Sequence, residues 1–209
     1  MNGSIISQVS ANPTTGFSVV TYTGTGSNAT VGHGLGAPAK MIMVKNRDKE
    51  ENWAVYHVGA QETGANIGIL NDTGLFNANN TVWQNIQPGS TTFSVGSNIK
   101  SNGSTDKMVA YCWAEVPGYS NFGEYTGGSL PNLIYTGFKP AFVLIKSYEG
   151  DGFNWVIIDN VRGTTGDDLT YKLYPNKDSS ENDDQRGQET RVVFTDNGFV
   201  FIGGGAETY

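Results

Sequence analysis

Along this chain the apolar positions recur every second residue or fall in short unbroken runs bounded by Gly, Asn or Ser, and almost no helix-length window carries a 3.6-residue period. The pattern predicts a nearly all-β protein. Strands are expected at 17–24 (FSVVTYTG), 40–45 (KMIMVK), 52–57 (NWAVYH), 66–71 (NIGILN), 91–96 (TTFSVG) and 107–116 (KMVAYCWAEV). The second half adds 122–127 (FGEYTG), 132–137 (NLIYTG), 141–146 (AFVLIK), 154–160 (NWVIIDN), 191–196 (RVVFTD) and 198–203 (GFVFIG). Residues 41–44 and 142–145 are unbroken apolar runs, which suits strands covered on both faces in the middle of a sandwich. RVVFTDNGFVFIG predicts a hairpin in which Asn197 and Gly198 supply the positive φ of a type I′ turn.

The pattern is also written twice. Gly36 lies nine residues before Lys45 and Gly137 nine before Lys146, across HGLGAPAKMIMVK and YTGFKPAFVLIK. YTG at 22–24 answers YTG at 125–127, Asn52-Trp53 answers Asn154-Trp155, and TTFSVG at 91–96 answers NGFVFIG at 197–203. The repeat far exceeds the period of solenoids. The expected organisation is an N-terminal extension (1–15), a first β unit (16–118) and a second (119–209), packed as one antiparallel β-sandwich of jelly-roll or concanavalin-like form; two small β domains in tandem are the alternative. Lys45 and Lys146 are expected to be strand-end charges that leave the core for solvent. After FSVG the first unit runs on into the strand MVAYCWAEV, whereas the second stops at Tyr209 without one. That strand is cut off, absent or supplied from elsewhere, and an edge left open would dock another chain.

Composition narrows the function classes. With 16% charged residues and a net charge of −7, the chain lacks the clustered Lys and Arg that phosphate binding needs, so no nucleic-acid partner is expected. Most of the 28 glycines sit in Ser/Thr/Asn company, which is turn chemistry. The single Cys112 cannot form an intramolecular disulfide and reads as a buried small hydrophobe. The N-terminus MNGSIISQVSANP lacks the charge pattern and apolar core of a signal peptide, and no run approaches the roughly eighteen apolar residues of a membrane span.

Candidate chemistry is sparse. No GxSxG elbow, GxxxxGK[ST] or GxGxxG is present. His33 and His57 stand where the second unit has Tyr135 or a neighbour and Asp159, which reads as tolerated surface or turn positions. A glycosidase would need two carboxylates across a cleft, and Glu115, Glu124, Asp159 and Asp72 are the candidates near strands. Two acids can be named in any chain with 20 of them, so no enzyme is expected. DSSENDDQRG (178–187) clusters Asp178, Glu181, Asp183 and Asp184, an oxygen-rich loop of the kind that holds Ca²⁺, although its spacing is not that of an EF-hand and a solvated loop is the simpler reading. No other cofactor is indicated. Trp53 and Trp155 read as a matched pair of core plugs. Trp83, in NNTVWQNIQPG with Asn85 and Gln87, has no counterpart, and an exposed indole beside amides would suit stacking on a sugar.

The succession YTGTG, GHGLGAPAKMIMVKNRD, NWAVYH, MVAYCWAEVPGYSNFGEYTG, TGFKPAFVLIK and NWVIIDNVRG resembles a β-rich domain of tail-fibre, receptor-binding and other virion structural proteins of marine tailed bacteriophages of the cyanophage type. The resemblance covers roughly 16–209, with MVAYCWAEVPGYSNFGEYTG its most specific part. Pro38-Ala39-Lys40 stands where the family usually reads Ala-Pro-Lys, and the family's further strand past the terminal hairpin is lacking. What the resemblance implies is a virion module that assembles with other fibre proteins, as a trimer by analogy, and that contacts a host surface glycan or only supports the fibre. It brings no catalytic or ligand residues with it. A free-standing lectin or adhesin domain is the alternative.

Overall fold

The computed structural model describes residues 2–61, 67–148, 153–162, 164–165, 168–169, 171–180 and 191–203. In chain order the elements are β1 (Ser7–Asn12), β2 (Phe17–Thr23), β3 (Ala29–Gly32), β4 (Ala39–Asn46), β5 (Ala54–His57), β6 (Gly68–Ile69), α1 (Asn80–Trp83), β7 (Thr92–Val95), α2 (Ile99–Asn102) and β8 (Lys107–Ala114). They continue with β9 (Asn132–Tyr135), β10 (Phe142–Ile145), β11 (Val156–Asp159), β12 (Thr164–Thr165), β13 (Asp168–Leu169), β14 (Arg191–Thr195) and β15 (Gly198–Gly203). The chain is an all-β, antiparallel sandwich protein, as its period-two pattern predicts. It divides into unit 1 (Met1–Leu70 and Phe76–Gly123) and unit 2 (Asn71–Leu75 and Glu124–Tyr209).

Unit 1 has a six-stranded sheet in the order β1-β2-β8-β4-β5-β6 and a two-stranded layer, β3-β7. Alternation does the sorting. On one face of the large sheet, Val20 and Tyr22, Met108, Ala110 and Cys112, Ile42 and Val44, and Tyr56 join Val31, Phe93, Val95, Val82 and Trp83 in one core. Each fully buried Val, Ile or Phe in such a core contributes about 1.5–3 kcal/mol. The opposite face carries a row of half-buried rings. Tyr111 lies 6.1 Å from Trp53 and 6.5 Å from both Phe17 and Trp113. Trp53 therefore belongs to this outer row rather than to the core, whereas Trp155 is buried.

The N-terminal segment pairs with the body of unit 1. Ser7–Asn12 pairs with β2 over its whole length, and Gly3 and Ile5 bridge to Val31, so the chain crosses from one layer to the other. Its largely exposed, polar sequence hid this strand, which is held by backbone pairing rather than by an apolar face.

In unit 2 a five-stranded sheet, β12-β13-β14-β15-β9, lies beside the hairpin β10-β11. Val192, Phe194, Phe199 and Phe201 pack with Ile145, Val156, Ile158 and Tyr174. The β14–β15 hairpin forms, but Thr195 pairs with Gly198, so the two turn residues are Asp196 and Asn197, and Asn197 is not among the residues of positive φ. Gly198 answers a steric demand instead: a Cβ there would lie 2.0 Å from the Ile134 carbonyl oxygen of β9.

The units share local connections. Met41–His57 through Val44–Ala54 pair as Phe142–Asp159 through Ile145–Val156 do, and Ala29–Val95 through Gly32–Thr92 pair as Asn132–Phe201 through Tyr135–Gly198 do. His33 N–H donates to Thr91 O at 3.1 Å, and Thr136 N–H to Asn197 O at 3.0 Å. Tyr22 stands edge-on to Phe93, and Tyr125 edge-on to Phe199. Gly36 and Gly137 both take positive φ, at 75° and 83°, with open space where a Cβ would go, so the turn before each apolar strand is what calls for glycine.

The repeated lysines match as well. Lys45 Nζ donates to the carbonyl of Glu51, two residues before Trp53, and Lys146 Nζ donates to that of Phe153, two before Trp155, at 2.6 Å. They tie down the hairpin loop and do not run out into solvent as expected, because each loop turns a backbone carbonyl toward the ammonium.

Three expected strands differ. Among the described residues FGEYTG (122–127) forms no strand and β10 is an edge strand rather than a doubly covered one: Phe142 is 57% exposed, against 6% for Met41, which matches it by hairpin register. NIGILN shrinks to the two residues of β6.

Candidate functional site

The segment that carries the sugar-binding candidates is the short helix α1 and the turn that follows it. Asn79 caps α1, its Oδ1 accepting from Thr81 N–H at 3.1 Å, and Gln84 closes it in a left-handed conformation. The Gln84 amide donates to Ala29 O at 3.2 Å and to Val95 O at 2.7 Å, fastening the helix to β3 and β7. Asn and Gln look like loop chemistry in the sequence, and here they serve as caps. Val82 and Trp83 consequently point into the core.

Trp83 is only 1% exposed and packs edge-on against Tyr56 at 6.2 Å, so it cannot stack on a sugar in this structure. Its Nε1–H has no hydrogen-bond partner among the described residues. Asn85, at φ 54°, and Gln87 are exposed, next to an exposed Ile86. Two of the three predicted binding residues thus share a surface turn, without the ring that was to anchor the ligand.

Asp178 is exposed, while Glu181, Asp183 and Asp184 lie outside the described residues. Among the described residues no group of three or more His, Cys, Asp or Glu side chains is arranged to hold a metal.

Of the surface or turn position expected of it, His33 takes the turn, after β3, and is fully buried there. Its Nε2–H donates to Gly89 O at 3.0 Å and its Nδ1 accepts from Leu35 N–H at 3.3 Å, a pair of bonds that fixes the neutral tautomer. Burial lowers its pKa, with the Gly89 bond opposing the shift. The ring staples the 84–91 turn to the turn after β3. His57, half-buried at the end of β5, accepts from Gly59 N–H through Nδ1 at 3.1 Å and lies against Phe122.

The carboxylates have local tasks. Asp159 accepts from Val161 and Arg162 N–H, both at 3.0 Å, and pairs with the Arg162 guanidinium, whose hydrogen bond holds the carboxyl below its ordinary range. Asp72 Oδ1 accepts from Thr73 N–H at 2.6 Å, Glu124 accepts from Tyr148 Oη–H at 2.6 Å, and Glu115 is exposed past the end of β8. Cys112 is buried beside Ser18, and burial pushes its thiol up to about 12, far from a nucleophile's range.

Sequence reasoning passed over two buried amides that organise the loops of unit 1. Asn102 Nδ2 donates to Ser27 O, Gly96 O and Thr25 Oγ1, while its Oδ1 accepts from Thr25 N–H. Asn46 Nδ2 donates to Ile99 O and Asp106 Oδ2. Asn is so common in this chain's turns that neither stood out.

These features define a loop-rich antiparallel β protein whose polar groups are largely spent on holding turns in place. A family model described as Domain of unknown function (DUF7483) matches residues 1–207, and the chain belongs to that family. No curated protein and no solved structure matches it.

Proposed function

We propose that this chain is a non-enzymatic virion structural module of a tailed bacteriophage, built from two copies of one β unit, which assembles as a homotrimer with other fibre proteins. The observation that carries the reading is an apolar surface on unit 2. Leu133 and Tyr135 of β9 and Ile202 of β15 are 42%, 69% and 37% exposed, and they share one face with Val193 and Val200. Exposed apolar clusters of this kind mark protein contacts. The phage-like stretch MVAYCWAEVPGYSNFGEYTG supports the virion setting, and the common strand registers support the duplication. Assembly is favoured over glycan recognition because Trp83 is buried.

Native mass spectrometry tests this. The wild-type chain is expected as a trimer, and Leu133→Ser with Tyr135→Ser as a monomer that keeps its far-UV circular dichroism spectrum and still unfolds cooperatively, at a lower temperature because the subunit contact is lost. A wild-type monomer that binds a glycan array would contradict it.

A further inference from the structure

In unit 1 β8 lies between β2 and β4, antiparallel to both. Unit 2 supplies counterparts of both neighbours. β10 corresponds to β4 by hairpin register, and Tyr125 corresponds to Tyr22 of β2 by its edge-on contact with the matching phenylalanine. Among the described residues no strand lies between them.

The alternation of the hairpin shows which groups are left open. Asn160 N–H donates to Ala141 O, so residues 141, 143 and 145 bond toward β11 and the backbone of Phe142 and Leu144 faces the other way. In β4 the same alternation, set by the bond from Val58 N–H to Lys40 O, turns Met41 and Met43 toward β8, where they pair with Trp113 and Tyr111. Among the described residues Phe142 and Leu144 therefore present unspent donors and acceptors along an apolar edge. FGEYTG, which has the sequence of a strand, joins no ladder among the described residues.

We propose that unit 2 binds an extended polypeptide strand from a partner protein in the place that β8 fills in unit 1. The strand runs antiparallel to β10, pairs with Phe142 and Leu144, and is apolar on both faces at period two, with small residues such as Ala and Cys toward the core. β8 itself supplies the template: Met108, Ala110, Cys112 and Ala114 face inward and are buried, while Val109, Tyr111 and Trp113 face outward and are half-buried. The inference rests on the correspondence between the units and is independent of the virion setting and of the Leu133–Tyr135 surface.

Hydrogen–deuterium exchange on the 209-residue chain tests it, with a synthetic peptide of residues 107–116 as the probe. In the chain alone the amides of Phe142 and Leu144 should exchange rapidly while those of Val143 and Ile145 are protected. Excess peptide should slow Phe142 and Leu144 by at least about tenfold. A peptide carrying Tyr111→Pro, which lacks the donor that meets Leu144, should not. Three results would overturn the proposal: Phe142 and Leu144 protected without peptide at every concentration, so that the chain fills its own gap; protection that grows with protein concentration, so that a second copy fills it; or no slowing at saturating peptide.

Discussion

Replacing Trp83 separates the buried-indole account from the surface-ligand account. The ring is 1% exposed and sits among Val82, Tyr56, Phe93 and Val95 in the unit 1 core. Trp83→Ala should therefore cost about 3–5 kcal/mol of unit 1 stability, the range for deleting a buried aromatic. Trp83→Phe is more discriminating. It leaves a smaller void, worth about 1–2 kcal/mol, but it also removes an Nε1–H that has no partner among the described residues, a burial penalty of roughly 1–3 kcal/mol. The two effects oppose each other, so Trp83→Phe should lie within about 1 kcal/mol of the parent. Urea unfolding followed by far-UV circular dichroism reads this directly. With an m-value near 2 kcal/mol/M, the alanine variant should lose about 2 M of midpoint and the phenylalanine variant less than about 0.5 M. Unit 1 must be followed as its own transition if the two units unfold separately. An alanine variant within about 0.5 kcal/mol of the parent, the range for surface substitutions, would refute the buried placement. A phenylalanine variant as damaged as alanine would show that Nε1 has a partner.

Gly198→Ala should destabilise unit 2 by at least about 2 kcal/mol, because its Cβ would meet Ile134 O at 2.0 Å; an unchanged unit 2 transition would contradict the β9–β15 register. His33 has a folded pKa below its unfolded value near 6.5, so the unfolded chain binds the extra proton. Its stabilising effect is complete above about pH 6.5 and falls by at most about 1.4 kcal/mol per pH unit below it, and His33→Gln should flatten the stability profile relative to the parent between pH 7 and 5, which chemical denaturation across that range would check. Cys112, with its thiol pushed up to about 12 by burial, should react with a thiol reagent only as fast as unit 1 opens; labelling at the rate of a free thiol in native protein would place it at the surface.

Most of the strand content was legible because each buried strand needs one apolar face, and that requirement writes period two into the chain. The likeness of the two Gly-to-Lys segments was legible too, since Gly36 and Gly137 meet the same backbone demand and Lys45 and Lys146 each reach a carbonyl of the following loop. β1 was not, because an exposed edge strand is held by backbone bonds that leave no mark on side-chain polarity. Trp83 misled for a related reason: the residues around it are polar because they cap a helix, and capping and solvent exposure select the same amides. The apolar run of β10 fits a central strand, and among the described residues only β11 pairs with it, a fact of pairing that an apolar run does not encode. The tasks of the polar residues were the least legible, since Asp159, His33 and Asn102 are committed to turns, and a single sequence does not distinguish such residues from a site.

The central claim, that this is a structural part of a phage particle, is tested most directly by electron microscopy of purified particles of a tailed phage that encodes the chain, decorated with gold-labelled antibody against it. The account predicts gold on the tail or its fibres. Undecorated particles, with the chain left entirely in the soluble lysate, would contradict it.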